Sequence, residues 1–278
     1  MIPMCAAFHD LCCYAKSSLT VVIPTLEVLG VEVCPLPTAL LSTQTDGFER
    51  YHFEESTDSL VQILKHWDFL GLGFDAIYSG FLGSHEQVDL VRHFIVQQRA
   101  RHNPLVVIDP VLGDGGKPYA PIDELLISEM RTLVREADLI TPNTTEAALL
   151  LKKPYDKALG VDEAITWAKE LSTLGPRYVA ITSVMVNEKG SVVAYDANND
   201  EVFVTTHAYT NISYPGCGDL FASIVTSLMV NTYSFKEAIE KANTLVKEAV
   251  EATFRANIER RQGVAIELII DKLVRLRK

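Results

Sequence analysis

Residues 105–116 read Leu105-Val-Val-Ile-Asp-Pro-Val-Leu-Gly-Asp-Gly-Gly116. Four apolar residues stop abruptly at an acid, a proline and a cluster of glycines. A short continuous apolar run of this kind reads as a strand buried on both faces. Helical patterns flank it, 84–101 before, with Ser84 at the cap position, and 122–136 after. Helix, buried strand and helix in succession imply a largely parallel sheet covered by helices on both sides.

The same alternation extends outward. Residues 2–8 form an apolar strand expected to end at His9-Asp10, and 18–29 a helix with Ser18 as its cap and Gly30 as its stop. Residues 31–36 are a second strand, 42–47 a polar loop, 59–70 a helix, and 75–79 a strand followed by Gly80-Phe-Leu-Gly83. Beyond the opening stretch come a brief strand at 138–140, ending in Thr141-Pro-Asn-Thr-Thr-Glu146, and helices at 145–152 and 162–174. A strand at 178–181 is expected to end at Thr182-Ser183. Alternating segments at 190–195 and 201–207 flank Asn198-Asn-Asp200, a hairpin signal. Helices at 235–256 and 266–276 close the chain. No repeat, low-complexity tract or linker divides it, so 1–278 is read as a single α/β domain. Parallel sheets of this class bind ligands beyond the carboxyl ends of their strands. His9-Asp10, 109–116, 141–146, Thr182-Ser183 and a turn at 214–219 would therefore share one edge.

Composition narrows the partners. Apolar residues make up 48% of the 278, enough for a sizeable core. A formal charge of −11 argues against a nucleic-acid or anionic-membrane partner. An anionic ligand would need a metal ion or local donors to offset that field. No apolar run reaches transmembrane length and no signal peptide is visible. The five cysteines show no metal or redox spacing, which suits a reducing, cytoplasmic setting.

The chemistry concentrates in Tyr214-Pro-Gly-Cys-Gly-Asp-Leu-Phe-Ala-Ser223, which precedes an apolar helical pattern. Gly216 and Gly218 permit a tight bend and close approach to a ligand. The amides of Gly216, Cys217, Gly218 and Asp219 would open a helix and favour an anion. In one reading they hold a phosphoryl group in flight while Asp219 takes the proton of an attacking hydroxyl. In the other the stretch is a glycine-rich turn with Asp219 as an ordinary N-cap. Cys217 reads either as a reactive thiol at a helix start or as a small turn filler.

Asp109, Asp114 and Glu146 fall on the same predicted edge, and clustered carboxylates invite a hard cation such as Mg²⁺. Asp114 in a glycine turn and Glu146 at a helix start also have purely structural readings. Asn143 and Glu146, three apart, would lie on one helix face. Lys117 either closes on nucleotide or is a solvated surface lysine. Neither the phosphate-loop lysine motif nor the protein-kinase signatures are present.

These residues resemble the pyridoxal kinase family of the ribokinase-like superfamily. The likeness covers most of the chain. It rests on Leu29-Gly-Val-Glu-Val33 with Pro35 and Thr38, Ser42-Thr-Gln-Thr45, Ser79-Gly-Phe-Leu-Gly83 and Asp109-Pro-Val-Leu-Gly-Asp114. Tyr119-Ala-Pro121, Thr141-Pro-Asn143 with Glu146, and Gly216-Cys-Gly-Asp-Leu-Phe-Ala222 complete it. The resemblance implies a three-layer α/β/α fold with a central, mostly parallel sheet, a homodimer, and transfer of phosphate from ATP to the hydroxymethyl group of a B6 vitamer. It implies Asp219 as base and Gly216, Cys217 and Gly218 as anion hole. Asp114, Asn143, Glu146, Thr182 and Ser183 would meet ATP phosphates and metal, with Asp109 and Glu146 as the metal carboxylates. Thr210, Asn211 and Ile212 would lie near adenine, and Asp10, Thr45 and Phe81 would face the pyridine ring. A monovalent cation is a further expected cofactor.

The chain departs from the family at Ala15-Lys-Ser-Ser-Leu19, where Gly-His-x-Gly-Asn is usual, and at Gln44, Cys217 and Phe81, where His, Thr and Tyr are usual. Asp10 replaces a frequent Ser, although hydroxymethylpyrimidine kinases can carry Asp there. The alternatives are thus a hydroxymethylpyrimidine kinase and a non-catalytic binder of vitamer or nucleotide.

Overall fold

The computed structural model describes residues 2–277 apart from 121, 157, 158, 187, 188 and 208–212. The chain begins with β1 (Met4–Cys12), α1 (Leu19–Val28), β2 (Glu32–Leu41), β3 (Phe53–Glu55), α2 (Thr57–Phe69), β4 (Ala76–Ser79) and α3 (His85–Arg101). It continues through β5 (Leu105–Ile108), β6 (Gly113–Asp114), β7 (Lys117–Pro118), α4 (Glu124–Val134), β8 (Leu139–Ile140), α5 (Thr144–Leu151) and α6 (Val161–Ser172). The last part holds β9 (Tyr178–Val186), β10 (Lys189–Asp196), β11 (Glu201–His207), α7 (Cys217–Val230), α8 (Phe235–Arg255) and α9 (Ile270–Val274).

Nine strands make one sheet in the order β11-β10-β9-β8-β5-β4-β1-β2-β3. The stretch from β2 to β9 is parallel. β10, β11 and β3 add antiparallel edges. Burial follows the pleat. On one face Ala7, Tyr78 and Val107 pack under α1, α7 and α8. On the other Phe8, Ile77 and Ile108 pack under α2 to α6. The result is the expected three-layer α/β/α arrangement, and all the parallel strands release their carboxyl ends along one edge.

Several boundaries differ from expectation for local reasons. β1 continues past His9-Asp10 to Cys12, with a register shift between His9 and Leu11. β2 runs on to Leu41 through Pro35 and Pro37; β3 covers only residues 39–41, so the prolines fall where β2 is a free edge. β9 does not stop at Ile181 but bulges past Thr182 and Ser183, whose φ is +62°. The closing helix breaks into a 3₁₀ turn, Ile266–Leu268, and α9. Ser18 and Ser84 occupy cap positions without capping: their hydroxyls go to Asp10 and Glu55 instead.

Candidate active site

α7 starts at the edge where the parallel strands end. Gly216 caps it with φ +85°, a left-handed conformation that glycine adopts without steric cost. A side chain there would also come within 3.1 Å of the Lys16 carbonyl. The next residues, Cys217, Gly218 and Asp219, form the first turn, where N–H groups lack intrahelical acceptors. A methyl group added to Gly218 would meet nothing within 4 Å, so this turn borders open space. Burial pushes the Cys217 thiol up to about 11, which disfavours the thiolate at neutral pH.

Asp219 does not cap its own helix. Its Oδ2 accepts the Ser18 backbone N–H at 2.9 Å and the Ser17 hydroxyl at 3.5 Å. Burial, opposed by those donors and reinforced by the Asp10 charge, raises its pKa to about 6. Asp10, on β1, is buried and accepts the Ser18 hydroxyl through Oδ1 and the Cys12 thiol through Oδ2. Desolvation raises the Asp10 pKa despite those hydrogen bonds. Ser18 therefore binds both acids, one with its backbone and one with its hydroxyl. It does so at φ +52°, and Ala15 sits at +66°. The segment that lacks the family's glycines keeps left-handed backbone at two of its positions. His9, expected beside Asp10 at the edge, is instead enclosed, its ring edge-on to Tyr78 at 4.3 Å. Burial depresses its pKa to about 3, so it is neutral.

Asp109 closes the other side. It is buried, receives the Thr141 hydroxyl at 3.0 Å, and is raised to about 7 by burial and by the charge of Asp219. Glu146 is also buried and raised, by desolvation and then by Asp109. Its two oxygens accept the backbone N–H groups of Leu112 at 3.2 Å and Asn143 at 2.7 Å. Asn143 is the N-cap of α5 rather than a residue on its face. Its Oδ1 takes the N–H of Thr145 and Glu146, and its Nδ2 donates to the Gly113 carbonyl at 2.9 Å. The expected pairing of Asn143 and Glu146 is thus a capping box that anchors the β6–β7 hairpin. Asp114 lies exposed on that hairpin and accepts the Gly115 N–H at 2.7 Å, a turn role. Lys117 is exposed on β7.

Among the described residues no group of three or more histidine, cysteine or acidic side chains could hold a metal ion by itself. Asp109 and Glu146 nevertheless offer hard oxygen donors in a crowded acidic pocket, which fits a Mg²⁺ that takes its remaining ligands from phosphate and water.

Thr182 and Ser183 reach the edge on the β9 bulge, and Thr182 bridges to Asn143. Thr45 is exposed in the loop after β2. Phe81, in the loop after β4, turns its ring edge-on to Phe53 at 6.3 Å while its carbonyl accepts the Thr38 hydroxyl. Thr210, Asn211 and Ile212 lie outside the described residues.

Three contributors carried no role in the sequence reading. Tyr119 feels the charges of Glu146, Asp114, Asp219 and Asp109 together, after burial the main causes of its raised pKa. Gln44 is buried and donates to the Arg261 carbonyl at 2.9 Å, seating the 42–47 loop on the turn 259–263. Arg260, in that turn, pairs with Asp46 at 2.7 Å. Gln44 and Tyr119 lie in stretches that carry the family resemblance, whereas the stretch around Arg260 looks like ordinary surface until the loops are brought together.

The sequence profile of the family described as phosphomethylpyrimidine kinase matches residues 13–264. A crystal structure from Bacteroides thetaiotaomicron VPI-5482, provisionally described as a phosphomethylpyrimidine kinase and containing pyridoxal, is 39% identical. It covers 98% of this chain and 96% of its own, with a TM-score of 0.94. Pyridoxal kinase from Lactobacillus plantarum is 29% identical with a TM-score of 0.92, over 99% and 98% of the two chains. The pyridoxine kinase of Bacillus subtilis (strain 168) is 31% identical over 194 residues, 67% of this chain and 68% of the relative.

Proposed function

This chain belongs to the phosphomethylpyrimidine kinase family, and from that membership we infer that it transfers the terminal phosphoryl group of ATP to the hydroxymethyl group of pyridoxal, pyridoxamine or pyridoxine. The observation that carries the reading is the position of Asp219. It stands in the first turn of α7, beside amides suited to an anion, and interacts electrostatically with both Asp10 and Asp109. The pyridoxal in the Bacteroides structure and the vitamer kinases among the relatives support the substrate class.

Phosphoryl transfer asks the protein for positioning and charge stabilisation more than for covalent chemistry. Asp219 is the base: an acceptor near pKa 6 is ionised at neutral pH, and takes the hydroxymethyl proton as the new oxygen–phosphorus bond forms. The amides of Gly216, Cys217 and Gly218 receive the charge on the phosphoryl oxygens. Ser18 fixes the direction of Asp219. Asp10, with Thr45 and Phe81, is the pyridine-facing group, and its carboxyl suits a ring N–H or amine. Asp114, Thr182 and Ser183 line the nucleotide side, where Asn143 and Glu146 hold the hairpin in place. Thr210, Asn211 and Ile212 keep their assignment to adenine from family resemblance alone. Asp109 and Glu146 would hold Mg²⁺, which when bound neutralises phosphate charge. The whole of 1–278 acts as one cytoplasmic kinase domain, as a homodimer; no helix among the described residues is long and apolar enough to cross a membrane.

Asp10 also favours a second reading, a hydroxymethylpyrimidine as acceptor. A coupled assay of ADP release with the three vitamers and with hydroxymethylpyrimidine tests both. Highest kcat/KM on a vitamer is expected. Preference for the pyrimidine would replace the substrate, and no ADP with any acceptor would overturn the kinase reading.

A further inference from the structure

The cleft crowds the carboxyl groups of Asp10, Asp109, Glu146 and Asp219, all shifted toward the neutral form, and a nucleotide brings further negative charge. Among the described residues Arg260 is a cation close to the start of α7. The turn 259–263 is fastened to the start of α7: Val264 donates to the Pro215 carbonyl at 2.9 Å, and Lys16 donates to the Gln262 carbonyl at 3.0 Å. Gly263 lets that turn close, since a Cβ there would lie 2.3 Å from the Lys16 carbonyl. Arg260, projecting from the turn, is half exposed and paired with Asp46 at 2.7 Å. Its charge also reaches Cys217 at the mouth of α7 and Asp114 on the nucleotide hairpin. The turn that carries the guanidinium is thus held directly against the segment that opens α7.

On the kinase reading above, we propose that Arg260 is a phosphate-binding catalytic residue, whose guanidinium leaves Asp46 and closes on the phosphoryl group in transit. The hydroxymethyl oxygen bonds to phosphorus, the bond to the ADP oxygen breaks, and the proton passes to Asp219; Arg260 changes no bond and neutralises charge on the transferred oxygens. Exchange is cheap because an exposed pair such as Arg260–Asp46 contributes little by itself. A guanidinium meets phosphate oxygens two at a time, which water-exposed Asp46 does not improve on. Lys16, paired with Glu267, would offer a point charge rather than a planar fork.

The test compares Arg260→Gln, Arg260→Lys and Asp46→Asn with wild type in steady-state assays with ATP and pyridoxal. Arg260→Gln is expected to lower kcat on the order of 100-fold, and Arg260→Lys about tenfold, because charge remains but the fork is lost. Asp46→Asn should stay within about twofold, its loss leaving Arg260 free. Should Arg260→Gln melt below the assay temperature, Arg260→Lys alone decides. Equal losses in Asp46→Asn and Arg260→Gln, or wild-type kcat in the Arg260 variants, would reduce the pair to a loop fastening and overturn the proposal. Calorimetric titration with inorganic phosphate separates this from the kinase reading. If wild type shows no turnover, phosphate binding weakened in Arg260→Gln retains the anion site, and unchanged binding removes it.

Discussion

The backbone N–H of Ser18 meets Oδ2 of Asp219 at 2.9 Å across 201 positions of sequence. The same serine gives its hydroxyl to Asp10. The acid assigned to the reacting hydroxyl and the acid assigned to the ring are thus set by one residue. Moving that residue would disturb chemistry and recognition together.

Asp219→Asn should lower kcat by roughly 100- to 10,000-fold, the usual contribution of a general base. The amide keeps an oxygen for Ser18, so nucleotide binding should persist. Calorimetry with a non-hydrolysable ATP analogue alongside the turnover assay checks both halves; unchanged turnover would remove Asp219 from the chemistry.

The raised carboxyls make activity and stability run in opposite directions with pH. Turnover needs ionised Asp219, so kcat/KM should fall about tenfold per unit below about pH 6. For stability, the folded pKa of about 6 exceeds the ordinary 3.8, so this group's contribution is present below about pH 4 and lost as pH rises through 6. At pH 8 Asp219→Asn should therefore be more stable than wild type by about 1–2 kcal/mol, part of the full shift being screened by solvent. At pH 4 the difference should vanish. Urea melts at the two pH values measure it.

Ala15 and Ser18 hold left-handed backbone without being glycine. Ala15→Gly should stabilise the fold by about 0.5–1 kcal/mol, relief of the αL penalty exceeding the added chain entropy. Ser18→Ala keeps that strain and loses the donor to Asp10. It should reduce kcat/KM for pyridoxal about tenfold, the size of one hydrogen bond to a charged group. Thermal melts and initial rates distinguish the two effects.

Asn143→Ala removes a cap and the donor to Gly113. A loss of about 1–2 kcal/mol is expected, together with a raised KM for ATP as the β6–β7 hairpin loosens. A melting temperature and KM both at wild-type values would contradict the anchoring role.

Much of this was legible in sequence because buried parallel strands must be apolar throughout. Leu105–Ile108 falls where the pattern set it, and the alternation of elements gave the layers and the common edge. The convergence of Asp10, Asp109, Glu146 and Asp219 followed from that edge. What escaped were matters of side-chain direction. Asn143 and Glu146 were expected on one helix face, but Asn143 is the N-cap and the two close a capping box. His9 was expected with Asp10 at the strand-end edge, but the pleat turns it toward Tyr78. Ser18 resembled a cap, and the absence of glycine at 15 and 18 resembled a loss, because neither a hydroxyl's target nor a positive φ is written in residue type.

The bond between Ser18 and Asp219 also has a consequence for the order of synthesis. A ribosome releases β1 and the 13–18 segment long before their partners at 214–219 and 259–264. Until then the pocket has a floor and no wall, and the central strand must wait beside β2 and β4 with α1 but without α7 and α8, which complete the cover of one of its faces. A nascent chain stalled short of residue 264 would thus be expected to collapse on the α2 to α6 side while lacking any catalytic competence, a vulnerable interval in which chaperone contact has most to offer.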